Sequence, residues 1–199
     1  MRDASGWVAG VDEVGRGALF GPVVTAAVIL TGDAADALQQ LGVTDSKRLS
    51  PRLREVLAIA IRHHASGYAL GIASAREVDR LNVLQASLLA MRRAILRLSP
   101  IPSLCLIDGN QPVPHLAIPQ RTIIKGDQTE MSIAAASILA KVWRDTLLVR
   151  LEQRYPGYDL AANKGYGSAR HRAAIDRLGL SPQHRLSFCR RQLTLPLDR

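Results

Sequence analysis

Four acidic residues occupy positions where short apolar runs of the sequence stop. Asp12 and Glu13 follow the first such run, Asp108 follows a later one, and Asp127 follows the next. In α/β sheets, ligands and catalytic groups gather at the ends of strands, so these carboxylates are expected to converge. Converging carboxylates repel one another until cations neutralise them, and oxygen ligands suit hard ions such as Mg²⁺ or Mn²⁺. A pair of such ions can hydrolyse a phosphodiester, which is the chemistry that this pattern predicts.

Each carboxylate also has an ordinary structural interpretation. Asp127 is followed three residues later by Glu130, which is the pattern of a capping box at the start of a helix. Asp108 precedes a glycine, as in a common turn. Asp12 and Glu13 are adjacent, and adjacent side chains of a regular strand face opposite sides of the sheet. These two can share a site only where the strand ends or bends.

The apolar periodicity predicts an α/β domain whose strands end beside these carboxylates. Buried strands are expected at residues 6–11, 22–30, 68–73, 104–107 and 121–124. Helices are expected to begin at Ser50, Ser74 and Asn82, because a capping residue precedes an apolar stripe at each of them. Strands that alternate with helices favour a sheet covered by helices.

A long helix is predicted over residues 133–151, followed by a mainly helical C-terminal part from residue 155. The AAAS stretch of the long helix has small side chains that permit close packing on a sheet. Asp145 on the same helix is interpreted as an exposed partner of neighbouring arginines, outside the metal site. The C-terminal part is basic, with one helix expected at residues 169–178.

The composition bounds the class of protein. The 199 residues are 47% hydrophobic and 22% charged, which supplies enough apolar side chains for one compact core. A formal net charge of +9 attracts polyanions and favours a nucleic-acid partner. The two cysteines indicate neither a disulfide framework nor a thiolate metal site, and Cys105 lies in an apolar run typical of a buried residue. Because no apolar stretch reaches about 20 residues, a cytoplasmic protein without a membrane span is expected.

Six blocks spread over most of the chain can be compared with known families. They are GVDEVGRGALFGPVV at residues 10–24, TDSKRLS at 44–50, IDGN at 107–110, KGD at 125–127, AAASILAKVWRD at 134–145 and NKGYGSARH at 163–171. Together, and in this order, they resemble the ribonuclease HII family. The resemblance implies a ribonuclease H-like fold, in which a central five-stranded mixed sheet is flanked by helices. It further implies a catalytic domain at residues 1–154 and a C-terminal helical substrate-binding segment and tail at residues 155–199, within one compact unit.

The resemblance assigns roles to the four carboxylates. Asp12, Glu13, Asp108 and Asp127 match the family's metal-binding and catalytic acids. The implied cofactor is Mg²⁺ or Mn²⁺, with two ions in the catalytic complex. Capping of the following helix by Asp127 would then be secondary or absent.

The resemblance also points to residues that distinguish RNA from DNA. Gly15, Arg16 and Gly17 match an element that is similar to a backbone clamp around the ribonucleotide. Glycines let main-chain groups approach the sugar, and the 2′-hydroxyl offers both a donor and an acceptor. Tyr166 matches a tyrosine that packs against the sugar beside the scissile phosphate.

Further basic and polar residues are expected to contact the nucleic-acid backbone. Ser46 and Lys47 match a phosphate-contacting pair of the family. A basic strip expected to follow a DNA backbone consists of Lys164, Arg170, His171 and Arg172.

The implied reaction is hydrolysis that leaves a 3′-hydroxyl and a 5′-phosphate. Its substrates would be the RNA strand of RNA/DNA hybrids and the 5′ side of single ribonucleotides in duplex DNA, cut by a monomeric enzyme. Two alternatives remain open at this stage. One is another metal-dependent nuclease of related fold, such as a resolvase or an exonuclease, and the other is a non-catalytic basic module that binds hybrids.

The end of the chain carries one more pattern. The peptide QLTLPL, from Gln192 to Leu197, looks like the short glutamine-leucine peptides by which bacterial replication and repair proteins dock on the sliding clamp. Such a peptide could bury its leucines in the groove of a partner. A tail without a partner is the alternative interpretation.

Overall fold

The computed structural model describes residues 6–193, and side chains as far as Cys189. Its centre is a five-stranded mixed sheet in the order β3-β2-β1-β4-β5. The strands are β1 (Val8–Val14), β2 (Val23–Ile29), β3 (Gly67–Ala73), β4 (Leu104–Asp108) and β5 (Gln120–Ile123). β1 pairs antiparallel with β2 and parallel with β4, so β1 is the strand at which the direction of pairing changes.

Eight α-helices surround this sheet in the described part of the chain. They are α1 (Gly32–Gln40), α2 (Pro51–His64), α3 (Ala75–Leu81), α4 (Val83–Ile95), α5 (Met131–Arg154), α6 (Leu160–Asn163), α7 (Ala169–Leu178) and α8 (Leu186–Leu193). Helices α5 and α2 share a hydrophobic cluster with one face of the sheet, and α4 packs on the other face. The predicted α/β architecture is confirmed.

The small residues of α5 bring this helix close to the strand that carries the first carboxylates. Ala134, Ala135 and Ala136 are all buried against the sheet, and Gly10 of β1 faces the start of α5. A Cβ at Gly10 would lie only 2.3 Å from the main chain of Ser132. The close packing predicted from the AAAS stretch is therefore confirmed, and it fixes α5 directly beside Asp12.

The predicted helix starts are confirmed by their hydrogen bonds. Ser50 accepts from the Leu53 amide, Ser74 forms a reciprocal capping box with Glu77, and Asn82 accepts from the Gln85 amide. The strand bounds differ from the predicted ones by one to three residues, and further differences occur at two helices. β1 continues to Val14, α5 extends over Met131–Arg154, and α1 had not been predicted. In α1 only Ala34 and Leu38 are buried, so its apolar face is short.

The C-terminal part packs on α5 and on the loop between β1 and β2. Phe20 of that loop lies in a cluster with Leu148 of α5 and with residues of the C-terminal part, which include Tyr158, Ile175 and Cys189. Cys105 and Cys189 are both buried and unpaired. Within residues 6–193, no helix combines the length and apolarity needed to cross a bilayer.

Candidate active site

Three of the four predicted carboxylates line one cavity at an end of the sheet. The cavity has a volume of about 390 Å³, and Asp12, Glu13 and Asp108 contribute to its wall. Asp108 is the last residue of β4, and Asp127 lies beside the cavity in a 3₁₀ turn that follows β5. These residues, which are distant in the sequence, thus lie near one another at one end of the sheet, as expected.

The pairing of β1 explains how two adjacent side chains can reach the same cavity. β1 pairs with β2 as far as Val14, whereas its pairing with β4 stops at Val11. Asp12 and Glu13 therefore lie within a strand, but beyond the last residue that β4 covers. The sequence argument expected the strand to end or bend here; instead β1 continues, and only its pairing with β4 stops.

Each carboxylate accepts a hydrogen bond from a different nearby donor. Asp12 accepts from the Glu13 amide at 2.7 Å, and Glu13 accepts from the Arg16 guanidinium at 3.2 Å. Asp108 accepts from the Gly126 amide at 2.8 Å. Asp127 accepts from Lys47 Nζ at 3.2 Å, and α5 begins after Glu130 without a side-chain cap. The capping interpretation of Asp127 is therefore wrong, because its carboxylate faces the lysine.

The electrostatics of the cavity disfavour ionised acids. Burial raises the pKa of Asp12 well above its ordinary value, and the charges of Glu13 and Asp108 raise it further. Burial also raises the pKa of Glu13, against the attraction of Arg16. The pKa of Asp108 is raised mainly by burial, which outweighs the hydrogen bond from Gly126. Burial is the largest cause at all three acids, so the nearby positive charges of Arg16 and Lys47 do not fully compensate for the loss of solvent.

The donor set fits a hard divalent cation, although the side chains are not yet gathered around one. All four acids offer oxygen ligands, and a cation would offset the repulsion among them. Among residues 6–189, no three or more His, Cys, Asp or Glu side chains are grouped so that they could hold a metal ion as they stand. Each of the hydrogen bonds described above engages one oxygen of its carboxylate, so the second oxygen of each acid would be the ligand for a cation.

The GRG element forms a turn beside the carboxylates. Gly15 has a φ of +90°, and a Cβ there would lie 2.2 Å from Arg144 Nε, so both conformation and space require glycine. Gly17 also lines the cavity, yet a Cβ on it would meet no atom within 4 Å. The fold does not need a glycine at this second position, and its open side faces the space that a substrate could enter.

Tyr166 lies on the same cavity, above two basic side chains of α5. The centroid of its ring is 5.3 Å from Arg144 Cζ and 5.8 Å from Lys141 Nζ. Lys141 pairs with Asp145 at 3.0 Å. Asp145 is thus half-buried and paired with a lysine, which corrects the prediction of an exposed partner for arginines. Its arginine neighbour, Arg144, points to the interior.

Ser46 and Lys47 are placed on the cavity wall. Ser46 is buried, and its Oγ lies 2.8 Å from Ser137 Oγ of α5. Ser137 in turn hydrogen-bonds to Asp12 and so opposes the rise in its pKa. Lys47 is exposed, and although partial desolvation opposes its charge, the hydrogen bond to Asp127 leaves its pKa raised. Lys47 can therefore stay positive beside the acids.

One member of the expected basic strip, His171, is buried, whereas Lys164, Arg170 and Arg172 reach the surface. Lys164 lies in a groove next to the cavity, where it donates to the Ala161 carbonyl. Arg170 lines a separate surface pocket with Arg177, and Arg172 is exposed. His171 has no exposed surface, so its place in a strip facing DNA is wrong. The period of α7 turns it inward together with Ala174 and Ile175.

Sequence reasoning missed several residues that shape the site. They are Ser137, Lys141, Arg144 and Arg185. The first three lie at spacings of about one turn along α5, which was a visible signal that one face of this helix is polar amid apolar neighbours. Arg185 donates to the carbonyls of Gly21 and Arg16, and no local pattern reveals contacts over that separation.

A five-stranded mixed sheet with acids at the end of its central strands defines a hydrolase of the ribonuclease H-like fold. Solved structures with this fold include the ribonuclease H2 from Pyrococcus horikoshii OT3, which has a TM-score of 0.77 and 27% identity and covers 91% of this chain and 93% of its own. The ribonuclease HII in a PCNA complex from Archaeoglobus fulgidus has a TM-score of 0.73 and 26% identity, over 96% and 97% of the two chains.

The sequence comparisons identify the family. The family model for ribonuclease HII matches residues 9–191, so the chain belongs to the ribonuclease HII family. The ribonuclease HII of Acaryochloris marina is 65% identical over the full length of both proteins, and that of Synechocystis is 52% identical over 95% of this chain and all of its own. The prediction of a ribonuclease H enzyme is confirmed over the alternatives of another nuclease and of a non-catalytic binding module.

Proposed function

We propose that this ribonuclease H hydrolyses the RNA strand of RNA/DNA hybrids and cuts duplex DNA on the 5′ side of single ribonucleotides, leaving a 3′-hydroxyl and a 5′-phosphate. The observation that carries the proposal is the shared cavity. Its wall combines Asp12, Glu13 and Asp108 with the GRG turn and Tyr166. Acids that can act on a phosphodiester thus lie beside main-chain groups that can read a ribose.

Different residues of the chain would contact different parts of the nucleic acid. The main chain at Gly15 and Gly17 would approach the 2′-hydroxyl, and the ring of Tyr166 would pack on the sugar. Lys47, with Ser46 behind it, would meet the phosphate next to the scissile bond. Arg16 is held by Glu13, and its own carbonyl accepts from Arg185 at 2.8 Å, so the turn is fixed on both sides. Lys164 and Arg170 would contact the DNA backbone further from the bond that is cut.

The cofactors in the proposal are two Mg²⁺ or Mn²⁺ ions held by Asp12, Glu13, Asp108 and Asp127. When bound, such ions activate a water and stabilise the leaving oxygen. The ribonuclease H family depends on divalent metals, and the raised pKa values of three of the acids support a cation here. Lys47, which donates to Asp127, would remain positive beside a phosphate.

One assay tests this function. A labelled duplex with a single ribonucleotide is compared with an all-DNA duplex of the same sequence and with a full hybrid, in Mg²⁺, in Mn²⁺ and in chelator. We expect cuts in the hybrid and one cut on the 5′ side of the ribonucleotide, both dependent on metal. Equal cutting of the all-DNA duplex, or cutting in chelator, would contradict the proposal.

A clamp partner is proposed separately. The peptide from Gln192 to Leu197 lies outside the residues whose side chains the structure describes. Support comes from the relative of Archaeoglobus fulgidus, whose structure was solved as a complex with PCNA. In a pull-down, we expect a bacterial sliding clamp to retain the full chain but not a chain that stops at Arg191. Equal recovery of the two chains would refute the interaction with the clamp.

Three further proposals concern the compartment, the oligomeric state and the domain organisation of the enzyme. We propose that the enzyme works in the cytoplasm as a monomer, with residues 1–154 and 155–199 acting as one compact unit. Gel filtration with light scattering would show one chain per particle if this is right. A stable dimer would refute the monomer.

A further inference from the structure

Two histidines lie together in the interior of the C-terminal part, outside the proposed chemistry. His171 on α7 has no exposed surface, and His184, just before α8, is 2% exposed. Their Nε2 atoms are 3.2 Å apart, and we call these two residues the histidine pair. Two protonated rings at this distance would repel each other in a buried place, so the positions of their protons decide whether the contact is stable.

The groups at the two ends of the histidine pair fix those protons. The Tyr166 carbonyl can only accept, so His171 Nδ1, at 2.9 Å, carries a proton and donates it. The Ser181 amide can only donate, and it lies 2.9 Å from His184 Nδ1, which therefore has no proton. In two neutral rings the remaining proton lies on His184 Nε2, which donates to His171 Nε2. The chain of hydrogen bonds thus runs in a single direction, from Ser181 to Tyr166.

The surroundings keep both rings neutral. Burial lowers the pKa of His171, although the hydrogen bond to the Tyr166 carbonyl opposes it. Burial, followed by the neighbouring His171, lowers the pKa of His184 to about 4. The aromatic ring of Phe20 covers the pair, with its centroid 5.0 Å from that of His184. At neutral pH the pair therefore holds one arrangement of protons.

The far end of the chain of hydrogen bonds is the residue expected to pack on the ribose. The segment that carries Tyr166 is attached to the GRG side of the cavity, because Gly165 accepts from the amides of Leu19 and Phe20 at 2.8 and 3.1 Å. The Tyr166 carbonyl accepts from the Ser168 amide at 2.8 Å as well as from His171. His171 is thus the contact that joins the main chain of Tyr166 to the buried interior of the C-terminal part.

We propose that the histidine pair positions Tyr166 for catalysis: His171 holds the Tyr166 carbonyl, and His184 selects the tautomer of His171 that can donate to it. This inference rests on the proposed function, because it needs Tyr166 to contact the ribonucleotide. Neither histidine touches the substrate, so both are positioning residues.

A matched pair of substitutions separates positioning from packing. Asparagine places an amide donor near the former Nδ1, whereas leucine has a similar size and no donor. His171→Asn and His171→Leu both leave the Nε2 proton of His184 unpaired, so both are expected to lower stability by similar amounts in urea unfolding. In single-turnover cleavage of a duplex with one ribonucleotide, His171→Leu is expected to be about tenfold slower than the wild type, and His171→Asn within about threefold of it.

A double-mutant cycle shows whether the effect passes through Tyr166. In a Tyr166→Ala background, His171→Leu is expected to slow cleavage no further. Equal rates for the asparagine and leucine variants, or an undiminished loss in the Tyr166→Ala background, would overturn the proposal and leave a purely structural pair.

Nitrogen NMR of the histidine rings tests the hydrogen-bond chain without any substrate. In the wild type at neutral pH, we expect a proton on Nδ1 of His171 and a proton on Nε2 of His184. The opposite tautomers would overturn the inference even in an active enzyme. A wild type with the expected tautomers that does not cut at a ribonucleotide would instead refute the proposed function and, with it, the role of the pair in catalysis.

Discussion

The carboxylate cavity and the basic interior behind it differ in how their charges are satisfied. In the cavity, three acids lie within one wall, and burial and mutual repulsion raise their pKa values. Behind the GRG turn, the Arg144 guanidinium is fully buried and donates to three carbonyls, those of Pro22, Phe20 and Lys164, at 2.8 to 3.0 Å. The histidine pair next to it carries no charge. Every nitrogen of the Arg144 guanidinium thus has a carbonyl acceptor within the protein, whereas the cavity leaves charge for a ligand to neutralise.

This difference indicates that the buried interior stabilises the fold, whereas the cavity serves the function. Buried polar groups that are fully hydrogen-bonded hold a unique structure, and breaking them is expensive. Acids that repel one another lower stability and persist because a ligand uses them. Substitutions in the two regions should therefore change stability in opposite directions.

The largest loss of stability is expected for Arg144→Lys. A lysine has a single nitrogen, which cannot occupy the three positions from which Arg144 donates, so buried acceptors would lose their partners and the free energy of unfolding should fall by about 3 kcal/mol. Urea unfolding measures this change. Arg150→Lys, on an exposed position of the same helix, is the control and should have little effect. Equal stability of the two variants would contradict the proposed difference between the interior and the cavity.

The two glycines of the GRG turn sharpen the comparison, because they face the two regions. Gly15→Ala would force a Cβ against Arg144 at a φ of +90°, and it should lower the free energy of unfolding by about 2 kcal/mol. Gly17→Ala meets open space, so its stability should stay within about 0.5 kcal/mol of the wild type.

The rate of cleavage tests the role proposed for Gly17. Gly17→Ala is expected to cut a duplex with one ribonucleotide about tenfold more slowly, since the added methyl group keeps the sugar away from the main chain. Wild-type cutting by this variant would show that the substrate does not approach the turn at Gly17.

Lowering the pH is also expected to weaken the interior. The pKa of His184 in the folded protein is lowered by burial to about 4 from its usual 6.5, so the unfolded chain binds the proton more readily. Its contribution to stability is complete above pH 6.5 and is lost as the pH falls towards 4, by at most about 1.4 kcal/mol for each pH unit. Denaturant unfolding of wild type and His184→Gln at several pH values measures the difference. A constant difference between pH 7 and pH 5 would mean that His184 is not held neutral.

The sequence predicts an element well where the interactions that form the element are local. Capping residues such as Ser74 act within one turn of the chain, and their helices begin where the pattern predicts. The carboxylates were found because an acid directly after an apolar run stands out. The inward side of α7 is also visible in the sequence, since His171, Ala174 and Ile175 share one face at helical spacing, although Arg170 and Arg172 flank His171.

The remaining features depend on contacts between distant parts of the chain. Lys47 meets Asp127 across 80 residues, and Arg144 reaches Phe20 across 124. No local rule connects such pairs, because each arginine or lysine looks like a solvated side chain in its own segment. The same holds for the sharing of one cavity by Asp12 and Glu13, which depends on where a neighbouring strand stops.

Thermal unfolding of Asp12→Asn with and without Mn²⁺ tests most directly whether the cavity is a repulsive set of acids that binds a cation. Without metal the substitution removes one of the repelling charges, so we expect it to stabilise the protein by about 1 kcal/mol while cleavage is lost. Added Mn²⁺ should raise the melting temperature of the wild type and have little effect on the variant. A variant that is less stable than the wild type without metal, and that Mn²⁺ stabilises as strongly, would contradict the account.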